Sequence, residues 1–143
     1  MSSPEADRDL LIATAQAAGE AALGWFGARP KVWEKPGEAG PVSEGDLASE
    51  AVLKERLRAA RPDYGWLSEE TTDDRERLGR RLVFIVDPID GTRAYLRGES
   101  GWCVAAAVVE EARPVAAAAV FPALGVVYAA AAGGGAARDG APL

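Results

Sequence analysis

The segment LVFIVDPIDGT, residues 82–92, decides how the rest of the chain is read: the apolar run Leu82 to Val86 is followed at once by Asp87, Pro88, Ile89, Asp90, Gly91 and Thr92. A continuous apolar run of that length, bounded by turn residues, predicts a buried strand. Pro88 stiffens the turn that follows. A tight turn lets Asp87 and Asp90 point to one spot with a backbone carbonyl between them, an oxygen set suited to a hard divalent cation. Gly91 permits close backbone approach to a ligand, and Thr92 brings a hydroxyl and an amide to the start of a helical turn, where an anion is favoured. Asp-Pro and Asp-Gly are also ordinary turn dipeptides, so the segment alone also admits a turn that binds nothing.

Upstream, Ser3-Pro4-Glu5 is a helix start, and the first helix is expected to run to about Trp25 with Leu10, Ala13, Ala17, Ala21 and Gly24 on its packed face. Lys35 to Pro41 is a Pro/Gly loop. Ser43 precedes a second helix, Glu44 to Ala60, with Asp46 in a capping-box relation and Leu47, Val52, Leu53 and Leu57 as buried positions. A short strand, Tyr64 to Ser68, leads to Glu69-Glu70 and a polar helical stretch ending near Arg80. Downstream of the central segment come a helical turn (Arg93 to Arg97), a strand from Trp102 to Val109, and a hairpin, VAAAAVF and GVVYAAAA, joined at residues 121–125. Helices early and hairpin-connected strands late predict an α+β fold, helices packed on a largely antiparallel sheet. Trp102 and Cys103 read as strand core, and Trp25, Trp33 and Trp66 as packing residues.

Composition removes most catalytic machinery. The chain has no histidine and one cysteine, so histidine triads, histidine zinc sites and multi-cysteine clusters are excluded. Chemistry is left to carboxylates, hydroxyls, Arg and Lys, backbone amides and oxygen-preferring ions. A formal charge of −6 argues against nucleic-acid polymers and anionic membranes as partners. Residues 114–137 are uncharged and long enough to span a bilayer, but Pro122, Gly125 and Gly133 to Gly135 break the run and fit two strands instead. The acidic N-terminus and lone Cys103 point to the cytoplasm. Leu, Ile, Val and Phe are only about a fifth of the chain, and no helix follows the hairpin to cover the outer face of the sheet. Burial of that face by a second copy or a partner is therefore expected.

Carboxylates recur at the ends of successive elements: Asp46 in the first turn of helix two, Glu69-Glu70 after the short strand, Asp87 and Asp90 after the apolar one. With SEE (68–70), FIVDPIDGT (84–92), PVSEGD (41–46) and the element order, the sequence resembles the inositol monophosphatase superfamily of magnesium-dependent, typically lithium-sensitive phosphatases. The resemblance implies the first half of an αβαβα sandwich, residues 1–143, with two or more Mg²⁺ ions as cofactor. It implies that Glu69, Asp87 and the Ile89 carbonyl hold the first metal, and that Asp87 bridges to a second, which Asp90 also binds. Asp46 and Thr92 would orient and deprotonate the attacking water, and the Gly91 and Thr92 amides would hold phosphate oxygens. Glu70 would be an outer neighbour, and Lys35 either lines the site or is a solvated loop residue. Arg93, placed as in the bisphosphate-nucleotidase (CysQ-like) and histidinol-phosphatase branches, either meets a second phosphate or is a solvated helix residue.

The implied reaction is direct attack of a metal-activated water on a phosphate monoester, the substrate being an inositol phosphate or a 3'(2'),5'-bisphosphate nucleotide. In the family a second α/β half supplies a Trp-Asp metal ligand and most substrate contacts, and these 143 residues contain no Trp-Asp pair. The alternative is a catalytically inactive half-domain that binds metal weakly or assembles with a partner. Gly45, in the first turn of helix two, is expected to loosen that turn by up to about 1 kcal/mol relative to Ala.

Overall fold

The computed structural model describes residues 2–28, 32–34 and 41–143. Helix α1 is Pro4–Leu23, with Ser3 at its N-cap accepting a hydrogen bond from the Ala6 amide. Strands β1 (Val32–Glu34) and β2 (Pro41–Ser43) form a small antiparallel pair that was not expected from sequence. Helix α2 spans Glu44–Ala60, as predicted. The remaining strands are β3 (Gly65–Ser68), β4 (Leu82–Asp90), β5 (Cys103–Glu110), β6 (Arg113–Phe121), β7 (Val126–Ala131), β8 (Gly135–Arg138) and β9 (Ala141–Pro142), with helix α3 (Thr92–Leu96) between β4 and β5. They form one seven-stranded sheet in chain order, β3 to β9. Only β3 and β4 run parallel, and residues 69–81 supply the crossover that a parallel pair requires. The architecture is α+β, with a largely antiparallel sheet.

Both long helices lie on one face of the sheet. Helix α1 packs on α2, β5, β6 and β7, and α2 packs on β4. Between them and the sheet lie Leu11, Leu53, Leu57, Phe84, Val104 and Val108, all fully buried. The alternation along β5 and β6 sends Val104, Ala106 and Val108, and Ala116, Ala118 and Val120, toward the helices. The opposite face presents Ile85, Ala105, Ala107, Ala117, Ala119 and Tyr128 to an open apolar groove of about 700 Å³. No described helix is long and apolar enough to cross a membrane, and the uncharged stretch forms β6 and β7.

Four expectations are corrected. The packed face of α1 is Leu11, Thr14, Ala15, Ala18, Gly19 and Ala22, offset by one residue from the expected set, and Ala13 and Gly24 are exposed. Alanine on every side of this helix leaves the helical period almost unmarked. The stretch after Glu69 forms only a 3₁₀ turn at Glu76–Gly79, because its charges carry no apolar face to pack. Trp25 and Trp33 are more than a third exposed instead of packed, and Leu47 is exposed. Finally, the apolar strand does not stop at Val86: β4 continues through Asp87-Pro88-Ile89 to Asp90. Trp102 and Cys103 are buried as expected, and Lys35, with most of its loop, lies outside the described residues.

Candidate active site

Strand β4 lies between β3 and β5, where proline is normally excluded because it cannot donate to the ladder. Here the ladder breaks: Asp87 pairs with Ala105 and Asp90 with Cys103, so Pro88 and Ile89 stand opposite Val104 alone. Two residues facing one constitute a β-bulge, which re-aims side chains and leaves backbone groups without ladder partners. Those groups are met from elsewhere. The Pro88 carbonyl accepts the buried Ser49 hydroxyl of α2 at 2.7 Å, and the Ile89 carbonyl lies 3.2 Å from the Thr92 hydroxyl. Gly91 then takes φ +89°, the left-handed region that glycine occupies without strain, and turns the chain into α3.

The start of α2 approaches the same point. Ser43 and Asp46 form a reciprocal capping box: the Asp46 carboxylate accepts the Ser43 amide at 2.9 Å and the Ser43 hydroxyl at 2.7 Å, both on Oδ2. Its other oxygen, Oδ1, accepts the Thr92 hydroxyl at 3.0 Å. Asp46 is fully buried, so each oxygen needs these donors. The missing side chain of Gly45 makes room for Tyr95 beside this turn. A β-carbon there would run into the Tyr95 hydroxyl and lie 2.6 Å from Cζ of its ring. Tyr95 itself is buried and donates to the Ala22 carbonyl at the end of α1 at 2.7 Å, and its ring packs against Phe26 and Trp102.

The charge around Asp87 is concentrated and of one sign. Burial, and then the carboxylates of Glu69, Asp90, Glu70 and Asp46, push the Asp87 carboxyl up to about 7. Its Oδ1 is buried and has no hydrogen-bond partner among the described residues. An orphaned carboxylate oxygen among four further carboxylates fits a hard divalent cation, whose charge would offset both the burial and the repulsion. No three acidic or cysteine side chains among the described residues already close on one point at coordination distance.

Each residue anticipated from sequence can now be located. Asp46, Thr92 and the Ile89 carbonyl are in mutual hydrogen-bond reach through the Thr92 hydroxyl. Glu69, Asp90 and Glu70 are each near enough to Asp87 to act on it electrostatically. Glu69 and Asp90 are exposed, and Asp87 is half-buried. Gly91 caps α3, and Arg93 projects exposed from its first turn. The sequence does not reveal Ser49 and Tyr95 as parts of this arrangement, nor that the Cys103 thiol, pushed up to about 11 by burial and by Asp90, lies 3.9 Å from the Asp90 carboxylate. Ser43 is legible through its capping-box relation to Asp46. Ser49 and Tyr95 carry no such signal, since a serine inside a helix and a tyrosine in a short turn look ordinary.

The profile of the Inositol monophosphatase family matches residues 4–143. The chain is 36% identical over 138 residues to a histidinol-phosphatase of Chlorobaculum parvum, covering 96% of this chain and 52% of that protein. It is 34% identical over 121 residues to the 3'(2'),5'-bisphosphate nucleotidase CysQ of Salmonella typhimurium, covering 83% and 49%. The solved inositol monophosphatase of Thermotoga maritima superposes with a TM-score of 0.85 at 25% identity, over 94% of this chain and 52% of that one. The chain thus spans about half the length of the relatives it matches. A family match over nearly all of its residues, on the fold that a solved member shows, places the chain in the inositol monophosphatase family.

Proposed function

We propose that residues 1–143 form the α+β subdomain bearing the metal and water site of a Mg²⁺-dependent phosphate monoester hydrolase. The observation that carries this reading is the half-buried Asp87 carboxylate, whose Oδ1 is without a hydrogen-bond partner among the described residues, amid Glu69, Asp90, Glu70 and Asp46, beside the Asp46–Thr92 hydrogen bond. Glu69, Asp87, Asp90 and the Ile89 carbonyl would hold the ions, two or more in number. Bound Mg²⁺ supplies positive charge to the phosphate oxygens and acidifies water.

The chain's own residues handle the proton. Thr92 donates to Asp46 Oδ1, which leaves its oxygen lone pairs to accept from a water. As the water oxygen bonds to phosphorus, its proton passes to Thr92 while the Thr92 proton passes to Asp46. The phosphorus–oxygen bond to the alcohol breaks, and the leaving alkoxide takes a proton from solvent. Ser43 keeps Asp46 oriented throughout. The Gly91 and Thr92 amides would hold phosphate oxygens, and exposed Arg93 would meet a second phosphate, so that a 3'(2'),5'-bisphosphate nucleotide or an inositol phosphate is the substrate class. Relatives that are a histidinol-phosphatase and a bisphosphate nucleotidase support phosphate monoester chemistry. Work in the cytoplasm and sensitivity to Li⁺ belong to the same reading.

Phosphate release from inositol 1-phosphate, 3'-phosphoadenosine 5'-phosphate, fructose 1,6-bisphosphate and histidinol phosphate, with and without Mg²⁺, tests it. Mg²⁺-dependent release that Asp87→Asn abolishes is the expected result. No release by a folded, Mg²⁺-saturated sample overturns it and favours the second reading, a non-catalytic half-domain that assembles with a partner. The open apolar sheet face is the observation on that side.

A further inference from the structure

We propose that Ser49, which has no part in the chemistry itself, is the positioning residue of the metal turn: its hydroxyl holds the Pro88 carbonyl and thereby sets the Asp87–Asp90 bulge against α2. The inference rests on the reading of that turn as a metal site.

The bulge creates the need. Pro88 and Ile89 have no register partners on β5, yet both are buried. A buried carbonyl without a partner is costly, and Pro88, which brings no amide of its own, offers only this acceptor for anchoring its stretch of backbone. Ser49 is fully buried and 39 residues away in sequence, and it meets that carbonyl at 2.7 Å. A serine inside a helix ordinarily bonds back to the carbonyl four residues earlier, here Gly45. The only hydrogen bond from the Ser49 side chain among the described residues runs instead to Pro88.

Spacing makes the contact consequential. Ser49 lies three residues after Asp46, so the two share a helix face. One turn of α2 therefore holds Thr92 through Asp46 and Pro88 through Ser49, bracketing the segment between. The Pro88 oxygen belongs to the peptide plane that leads into Ile89. Fixing it fixes how the Ile89 carbonyl and the Asp90 carboxylate leave the bulge, and the Thr92 hydroxyl sits beside the former at 3.2 Å. Ser49 is the side-chain tether from α2 to the Pro88 carbonyl, and removing its hydroxyl removes that link between the helix and the bulge.

The test is Mn²⁺ affinity of the full chain by electron paramagnetic resonance, with Mg²⁺ as competitor, for Ser49→Ala, Ser49→Cys and a control, Thr14→Ala. Thr14 is a buried helix hydroxyl that donates at 2.7 Å to Leu10 of its own helix, remote from the turn, so its loss matches the general cost of deleting a buried hydrogen bond. Ser49→Cys fills the space but offers a weak donor, and it keeps the test intact if the alanine variant does not fold. A merely structural serine predicts equal metal affinity in all folded variants. The expected result, read well below every melting point, is a tenfold or greater loss for both Ser49 variants and less than a twofold change for Thr14→Ala. Wild-type affinity in Ser49→Cys, or an equal loss in Thr14→Ala, overturns the role of Ser49 and leaves the metal reading standing. No Mn²⁺ bound by the unsubstituted chain overturns both.

Discussion

Asp87 is subject to two opposed demands. Its backbone belongs to a central strand and its carboxylate is half-buried among four others, which is unfavourable for folding without a cation and favourable for binding one. With its carboxyl raised to about 7, the folded state holds a proton that the unfolded chain gives up near the ordinary value of 3.8. Stability from this group is therefore present at low pH and is lost as pH rises from about 3.8 through about 7. A divalent cation bound there, as proposed, would compete with that proton. Mg²⁺ should accordingly raise the melting temperature more at pH 8 than at pH 6, as differential scanning calorimetry would show. Asp87→Asn should invert the trade, melting a few degrees higher than wild type at pH 8 without metal, about 2–4 °C per kcal/mol recovered, and not responding to Mg²⁺. Equal Mg²⁺ responses in variant and wild type would remove Asp87 from the metal site. Under the proposed mechanism Asp46 and Thr92 serve chemistry and not metal binding, so Thr92→Val should retain metal affinity within a few-fold while phosphate release falls about 10²–10⁴-fold, the range for loss of a proton-transfer partner. Parallel metal titration and steady-state kinetics would reveal a coupled loss instead.

Helix α2 works as a rail whose buried polar residues each secure a different segment. Asp46 holds Thr92, Ser49 holds Pro88, and Glu50 accepts the Thr71 hydroxyl at 2.5 Å, two residues past Glu69. How deeply the rail seats depends on Gly45. Alanine is ordinarily the better helix residue by about 1 kcal/mol, but at Gly45 the sign should reverse, since a β-carbon meets the Tyr95 side chain. Gly45→Ala is expected to cost roughly 1–3 kcal/mol in urea unfolding, and Tyr95→Phe to relieve only part, because ring carbons lie nearly as close as the hydroxyl. Full stability in Gly45→Ala would mean that the contact yields freely. The far ends of α1 and α2 are joined by a second polar cluster. Asp7, 2% exposed, accepts Arg61 at 3.0 Å and the Tyr64 hydroxyl at 2.8 Å. Burial and Asp7 push the Tyr64 phenol up to about 12, so its contribution is present below pH 10 and is lost as pH rises through about 12. Tyr64→Phe should remove that alkaline slope from the pH dependence of unfolding, and at neutral pH should cost about 1 kcal/mol.

What was legible at this level follows from how local each signal is. The capping box of Ser43 and Asp46 spans three residues and is legible in the sequence, as are the extent of α2 and the β6–β7 hairpin. The bulge was misread as a turn because proline argues against a central strand, and the compensation, a serine hydroxyl from 39 residues away, is invisible locally. The register of α1 escaped for the opposite reason: with alanine all around, the sheet surface and not the sequence selects the buried side.

For the molecule as a whole, the decisive asymmetry is that the two long helices cover one side of the sheet and the described residues leave the other open. Ile85 and Asp87 alternate onto the open side with Ala105, which pairs with both Asp87 and Ala119, and Ala107, which pairs with Ala117. Glu69 and Asp87 line the same groove as these alanines and Tyr128. The apolar groove therefore ends beside these two carboxylates. An exposed apolar surface of this extent favours association. Light scattering on a size-exclusion column should accordingly show mass rising with concentration, and Ala107→Lys or Ala119→Glu on the open side should return the chain to monomer with little change in melting temperature. Ala118→Glu, one residue along β6 but beneath the helices and 4% exposed, should instead fail to fold, as an unpaired buried charge does. A strictly monomeric wild-type chain would locate the association surface elsewhere. Equal damage from the Ala118 and Ala119 substitutions would show that the two sides of the sheet are alike in solution.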